Sequence, residues 1–461
     1  MKQKLQHLFI IFFMMSLALC AKAEQKTVTL TEPGTISQYI PESEKNQITD
    51  LTVKGDLNGT DVRFLREMAG VDIYGQPVSG SLVRLDLTDA NIVEGGDFFF
   101  VDESIAVAYY TSNNVIGSNF MCNSKLQECL LPKSVKAIKG YAFANSKLKT
   151  LTLPEGLELI EIAVFQNASI TGVTLPKSLK TISKNAFLGC KDLSSVSYAN
   201  GVEASNLKTI GNTAFGLCDS LKDFQFPSSI ETIGNSAFCY CTGLEHVVIP
   251  KNLKNLGEAA FYGCTSLSDF ELLAPVDFIQ DRLLYDCISL KTVKIPEGVK
   301  SINQSAFTGC KNLKSIYFPE SLEFIGDFAF AQTGLETIII PKNVKELKRN
   351  IINAGVGVTV YSMSPVPPMA ISGDYSTFGE STGVLYVPTG CKAAYMAADG
   401  WKEFKEVDEF DPAGVASVET DGNNGVPAVY TIGGSRIDGV QRGMNIVKGK
   451  DGRVHKVVVR Q

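Results

Sequence analysis

The sequence predicts a repeat solenoid. Two observations predict it: a unit of 22 or 23 residues recurs ten times along the 461-residue chain, and several columns of that unit keep one register throughout. Self-similarity at such a period marks an array of stacked units rather than a single globule.

The unit starts at Leu126 and reads Leu-x-x-Ile-x-Ile-Pro-x-x-Leu-x-x-Ile-x-x-x-Ala-Phe-x-x-Cys, with exchanges among the apolar positions. Its first position recurs at Leu148, Ile170, Leu193, Leu221, Leu244, Leu267, Leu290, Leu313 and Leu335. One step is 28 residues, because Ala199 to Ser205 is inserted. Proline recurs at 132, 154, 176, 227, 250, 296, 319 and 341, and phenylalanine at 143, 165, 187, 215, 238, 261, 307 and 330. Two units depart. The insertion unit has Tyr198-Ala199 where the others have apolar-Pro, and the unit from Leu267 has Leu273 and Leu284 in the proline and phenylalanine columns.

A period near 23 lies in the leucine-rich-repeat range, where each coil is a strand and a short return that cannot bury its apolar side alone. In Leu148-Lys149-Thr150-Leu151-Thr152-Leu153-Pro154, alternation turns Leu151 and Leu153 inward and Thr150 and Thr152 outward. Pro154 ends the strand, having no amide hydrogen for the ladder. Cysteine also fills a column, at 190, 218, 241, 264, 287 and 310. One thiol at the same place in each coil reads as a small buried hydrophobe. Parallel side chains suit neither a disulfide nor a metal site, so free packed thiols, no metal and no cofactor are expected.

The flanks divide as follows. Residues 1–23 read as a secretory leader: Lys2 and Lys4, an apolar stretch from Leu8 to Leu19, and a small-x-small site that places cleavage after Ala23. The alternative is a lipoprotein acylated at Cys20, although Leu19 is large for that signal. Residues 24–116 read as an N-terminal cap with strand-like runs Ile48–Val53 and Leu82–Leu87 and a helical stretch Asp61–Met68. The repeats occupy 117–357. Residues 358–410 read as a C-terminal cap with a strand Val384–Val387, a helix around Lys392 to Ala398 and the only tryptophan, Trp401. A Gly- and Asn-rich linker at 411–427 then leads to a small β module at 428–461.

Composition removes several function classes. Forty-three basic against forty-nine acidic residues, with no basic tract, argue against a nucleic-acid partner. Beyond the leader no window reaches the ~20 apolar residues of a transmembrane span. Only His246 and His455 follow the leader, which leaves little for a histidine-dependent active site, and no phosphate-binding glycine loop is present. An enzyme is therefore not expected.

What remains is the outward strand face. Its first half is a Ser/Thr ladder that β-propensity explains. Its second half is varied: Asp223, Gln225, His246, Asp269 and Glu271 form an acidic, histidine-bearing band, followed by Lys294, Tyr317 and Ile339. Aromatic and apolar groups beside charges are what protein-binding patches use, so these eight are the candidate contact residues. The flanks and the Ala199 to Ser205 insertion are the competing locations.

The proline after the strand and the Ala-Phe-x-x-Cys before the next leucine resemble the BspA-like, or Treponema pallidum type, leucine-rich repeats, over roughly Asn114 to Leu347. The segments Leu57 to Gly70 and Asp89 to Asp97 resemble the N-terminal regions of such proteins from Bacteroidetes. Val384 to Pro388, and Ala394-Tyr395 followed by Gly400-Trp401, resemble their C-terminal parts. Gly443 to Val447 and Lys456 to Arg460 resemble short C-terminal modules of exported Bacteroidetes proteins, some of which sort or attach. The resemblance implies a secreted or surface adhesin with a protein or glycan ligand on host or bacterial surfaces. A structural cell-envelope component without a soluble ligand is the alternative.

Because the phenylalanine column closes each coil, Phe238→Ala is expected to cost ~3–5 kcal/mol. A thermal melt measures this, and an unchanged midpoint would contradict the repeat reading.

Overall fold

The computed structural model describes residues 24–353, 357–379 and 382–410, and the strands Ala428–Thr431, Arg436–Ile437, Gly443–Lys448 and Val454–Val459. The leader reading at 1–23 and the linker reading at 411–427 fall outside the described residues. The fold is a parallel β-solenoid with little helix, as the repeat predicts. It divides into two compact units, Met1–Pro154 and Glu155–Gln461.

In the first unit the parallel sheet runs through Glu24–Thr29, Ile48–Leu57, Arg84–Asp86, Glu128–Leu130 and Thr150–Thr152, so residues ahead of the first repeat already contribute strands. The helix Gly59–Met68 starts where Asn58 and Asp61 make a reciprocal capping box, the Asn58 side chain accepting from the Thr60 amide and Asp61 accepting from the Asn58 amide. Its buried face carries Val62, Leu65 and Met68. Arg66 on the same helix is fully buried, and its guanidinium donates to the carbonyls of Phe120 (2.8 Å) and Asp72 (2.9 Å). This ties the helix to the segment that opens the first coil.

The second unit shows how a coil closes. On the front, strands alternate buried and exposed residues, as in His246–Ile249 and Asp269–Leu272. The inward residues meet the phenylalanine column, whose rings stack from coil to coil: Phe187 on Phe215 at 5.0 Å, Phe215 on Phe238 at 5.2 Å, Phe238 on Phe261 at 5.5 Å. Leu284 fills the column where a ring is missing and is fully buried.

The return path contains a second parallel sheet that the sequence reading did not include. Two-residue strands pair along the flank: Leu159–Ile160, Thr181–Ile182, Thr209–Ile210, Thr232–Ile233 and Asn255–Leu256, then separately Phe278–Ile279, Ser301–Ile302, Phe324–Ile325 and Glu346–Leu347. Strands this short carry one inward residue each, too few to show a period of two. Just ahead of them a charge column bridges successive coils: Lys180 pairs with Glu158 (2.8 Å), and Lys208 and Lys254 both pair with Glu231 (3.1 and 2.7 Å). Both lysines hold the exposed Glu231 carboxyl below its ordinary pKa, Lys254 foremost.

Between the flank strand and the next leucine, residues in the left-handed region sit four apart in each coil, for example Asn185 and Gly189, Thr213 and Leu217, Ser236 and Tyr240, Ser305 and Gly309. This conformation turns amides toward the following coil. The Phe187, Phe215 and Phe238 amides donate to the carbonyls of Ala214, Ala237 and Ala260 at 2.7, 2.8 and 2.8 Å. Asparagine and glycine suit the geometry; Thr213, Leu217 and Tyr240 adopt it because the ladder demands it.

The six column cysteines are buried and free, as expected. They do more than fill space. Each thiol donates to the carbonyl in the phenylalanine column of the preceding coil: Cys190 to Phe165 (3.0 Å), Cys241 to Phe215 (3.1 Å), Cys264 to Phe238 (3.2 Å) and Cys310 to Leu284 (3.1 Å). Toward the last coil, Thr333 holds the same column but donates within its own coil, to the Phe330 carbonyl at 2.8 Å. Burial pushes the thiols up, Cys190 to about 12, and Cys218, Cys241, Cys264 and Cys287 well above the ordinary range.

A raised pKa means that the thiolate is not populated between pH 7 and 9. In the native protein a maleimide should therefore label the half-exposed Cys239 and Cys391 first. The column thiols should react only on unfolding. Fast, pH-dependent labelling of Cys241 or Cys264 by mass spectrometry would contradict this packing.

Candidate binding face

The candidate residues lie in the second unit, on the front sheet. Strands His246–Ile249, Asp269–Leu272 and Thr292–Lys294 pair in parallel, and single bridges join Asp223 to His246 and Lys294 to Tyr317. Parallel pairing without slip sets like positions side by side, so the outward residues form two rows. Asp223, His246 and Asp269 occupy one, each facing the next. Val248, Glu271, Lys294 and Tyr317 occupy the other in the same way. Gln225 is exposed two residues beyond Asp223. Ile339 belongs to a separate run of the sheet, Thr337–Ile340 with Val358–Ser362, Thr382–Pro388 and Glu406–Phe410.

The acidic end is wet. His246 Nδ1 lies 3.1 Å from Asp269 Oδ2, and both side chains are about 60% exposed. Ser268 Oγ also donates to Asp269 Oδ2, at 2.8 Å. Asp269 thus receives both neighbours, and the serine reaches the carboxylate rather than the imidazole. A nucleophilic relay needs the opposite order, with the histidine between serine and acid. The trio is a polar cluster on an open face.

The other end is drier. Tyr317 is half-buried, and burial with the nearby Glu297 and Glu320 raises its phenol above the ordinary value. Ile339 is half-buried opposite Tyr361, which stacks on Tyr386 at 4.6 Å and 10° and meets the edge of Phe410 at 5.7 Å. Burial first, and then Tyr386, raise the Tyr361 phenol. Asp408 stands next to Tyr386 in the ladder.

Tyr361 and Tyr386 were missed as face residues because 358–410 reads as a cap once proline, phenylalanine and cysteine leave their columns. The signal was present in the strands: Val358-Thr359-Val360-Tyr361 and Val384-Leu385-Tyr386-Val387-Pro388 keep the outward step of two and, in the second, the terminal proline. Val248, outward and 50% exposed, adds an apolar member among the charges.

A profile of the BspA type leucine rich repeat region, in six copies, matches residues 114–245 and 231–354, more than half of the chain. The chain belongs to the BspA-type leucine-rich-repeat family. No curated protein matches it significantly. Among solved structures this BspA-type chain is similar to a leucine-rich repeat protein from Bacteroides ovatus, at 24% identity over 55% of this chain and 64% of that one, with a TM-score of 0.43. It is also similar to the pneumococcal vaccine antigen PcpA, at 17% identity over 65% and 85% of the two chains, with a TM-score of 0.40. The Treponema pallidum leucine rich repeat protein shares 28% identity over 40% and 73%, with a TM-score of 0.28. The match thus spans 64% of the Bacteroides ovatus protein's length. No described helix is long and apolar enough to cross a membrane.

Proposed function

We propose that this BspA-type protein is an exported or surface-attached adhesin-like binder that contacts a protein or glycan partner through the front sheet of its second unit. One observation carries the reading: a single register holds Glu271, Lys294 and Tyr317 side by side on an open face, next to the row of Asp223, His246 and Asp269. The nearby run of Ile339, Tyr361 and Tyr386 adds a half-buried aromatic surface of the kind from which contact hot spots are made. A side chain held on a rigid sheet loses less freedom on binding than one on a loop, so more of each contact is realised as affinity.

In this reading residues 1–23 are the export leader and the antiparallel strands within 428–461 serve sorting or attachment. The four strands pair in the order Arg436–Ile437, Ala428–Thr431, Gly443–Lys448, Val454–Val459. The chain acts by contact and not by turnover. The partner's surface should carry basic groups to meet Asp223, Asp269 and Glu271.

The test is a binding screen of the chain against immobilised host matrix proteins, glycans and bacterial surface fractions. Capture of at least one ligand is expected, weakened at least tenfold, or about 1.4 kcal/mol, by the Asp269→Lys, Glu271→Lys pair and by Tyr317→Ala. Both variants change exposed or half-exposed groups and should melt like the parent. Capture with affinity unchanged in both would move the contact off this face, and no capture would overturn the binding role.

A further inference from the structure

The coil from Leu267 to Ser289 departs from the repeat in a way that opens the flank sheet. In most coils the front strand ends in a Pro-x-x-apolar turn closed by a backbone bond, as from the Leu253 amide to the Pro250 carbonyl (3.3 Å) and from the Ile230 amide to the Pro227 carbonyl (3.1 Å). The corresponding stretch here is Leu273-Ala274-Pro275-Val276, with the proline at the third position. Proline there forces the residue before it out of the helical region that such a turn requires. The turn bond is absent, and the chain from Leu273 to Asp277 runs without regular structure.

The consequence lies two residues on. Flank strands Thr232–Ile233 and Asn255–Leu256 pair, and so do Phe278–Ile279 and Ser301–Ile302, but Asn255–Leu256 and Phe278–Ile279 do not. The repeat rule would send the amides of Phe278 and Gln280 to the carbonyls of Lys254 and Leu256, as the Asn255 and Gly257 amides go to Glu231 and Ile233 (3.1 and 2.8 Å). None of these bonds forms across the gap. The ladder is closed on both sides, by the Leu273 amide on the Ile249 carbonyl (2.9 Å) and the Ala259 amide on the Asp281 carbonyl (2.9 Å). The gap is therefore a bounded slot in an otherwise paired sheet.

A groove of about 460 Å³ lies over it, lined among others by Lys254, Glu258, Asp277, Phe278 and Gln280, within the ~300–1,000 Å³ of ligand clefts. Two side chains at its rim differ from those at the same place in the adjacent coils. Phe278 is 44% exposed where the adjacent coils place Asn255 and Ser301, and its column holds an aromatic again only at Phe324. Glu258 stands where Asn212, Asn235 and Asp281 each accept the amide of the following coil (2.9, 3.2 and 2.9 Å). Its longer carboxylate leaves the Asp281 amide alone and makes no ion pair among the described residues. Lys254 and Asp277, by contrast, are engaged by Glu231 and Lys300.

We propose that this slot is a docking site for a short extended peptide, whose main chain completes the interrupted ladder and whose side chains set an apolar residue against Phe278 and a basic one against Glu258. Main-chain donors and acceptors left open at a strand edge give affinity to any extended chain, and flanking side chains select among sequences. The charge of the partner follows from Glu258, the one carboxylate at the rim without a cation. The site is on a different face from the front rows and does not depend on their reading.

The experiment uses the full chain and a phage-displayed heptapeptide library, with the closing variant Pro275→Asn as counter-selection. That variant frees residue 274 to take the helical backbone of the turn found at Pro250 to Leu253, keeps the Leu273 amide on the Ile249 carbonyl, and should fold like the parent. Selected peptides should pair a basic with an apolar residue and bind the closing variant at least tenfold more weakly. N-methylation of alternate peptide amides should abolish binding, and Glu258→Gln, an exposed change that spares the fold, should weaken it severalfold. Hydrogen exchange should find the Phe278 and Gln280 amides unprotected in the free chain and protected with peptide bound. No enrichment over the closing variant, equal binding of N-methylated peptide, or protected Phe278 and Gln280 amides in the free chain would each overturn the proposal.

Discussion

The return side of each coil is held to the next by amides that point along the stack, and the rest of the fold depends on that ladder. The Phe187, Phe215 and Phe238 amides reach the alanine carbonyl one coil on because their neighbours adopt left-handed backbone. A left-handed residue other than glycine, asparagine or aspartate costs ~1–2 kcal/mol. The chain tolerates this at Thr213, Leu217 and Phe328 because the alternative is an unpaired buried amide, which costs at least as much. The ladder sets the spacing at which the phenylalanine rings stack, aligns each thiol with the carbonyl one coil earlier, and keeps the front strands in register.

That register turns a repeat into a surface. On the front sheet an outward residue keeps the same neighbours in successive coils, so its chemistry is shared along a row. Where the row holds Thr174 and Ser197 the hydroxyls hydrogen-bond one another at 2.9 Å. Where it holds Glu271, Lys294 and Tyr317 the groups are set out for something else to meet. One backbone constraint thus supports both the core and the candidate contact face.

The front of the fold was legible because it repeats with a large signal: inward aliphatics two apart, a proline at the strand end, a phenylalanine and a cysteine at fixed offsets. The flank sheet was not, since a strand of two residues offers one inward side chain and no alternation. The left-handed ladder was hidden because asparagine and glycine mark it only in some coils, whereas Leu217 and Tyr240 disguise it elsewhere. The thiols read correctly as packed and free, but their donor role needed coordinates. The face residues from Asp223 to Tyr317 follow from alternation alone. Tyr361 and Tyr386 were obscured by the loss of the other columns, and the slot at Phe278 shows only when Pro275 is weighed as a turn residue rather than as a missing column.

The most direct test of the claim that coils are interchangeable units held by cross-coil bonds is thermal unfolding of a chain lacking residues 290–312, one full coil. The remaining coils should rejoin in register, because the unit from Leu313 offers the unit from Leu267 the same ladder groups as the deleted coil does. A single cooperative transition, at a midpoint moderately below that of the parent, is the predicted result. Loss of the transition, with a spectrum of unfolded chain, would contradict the account.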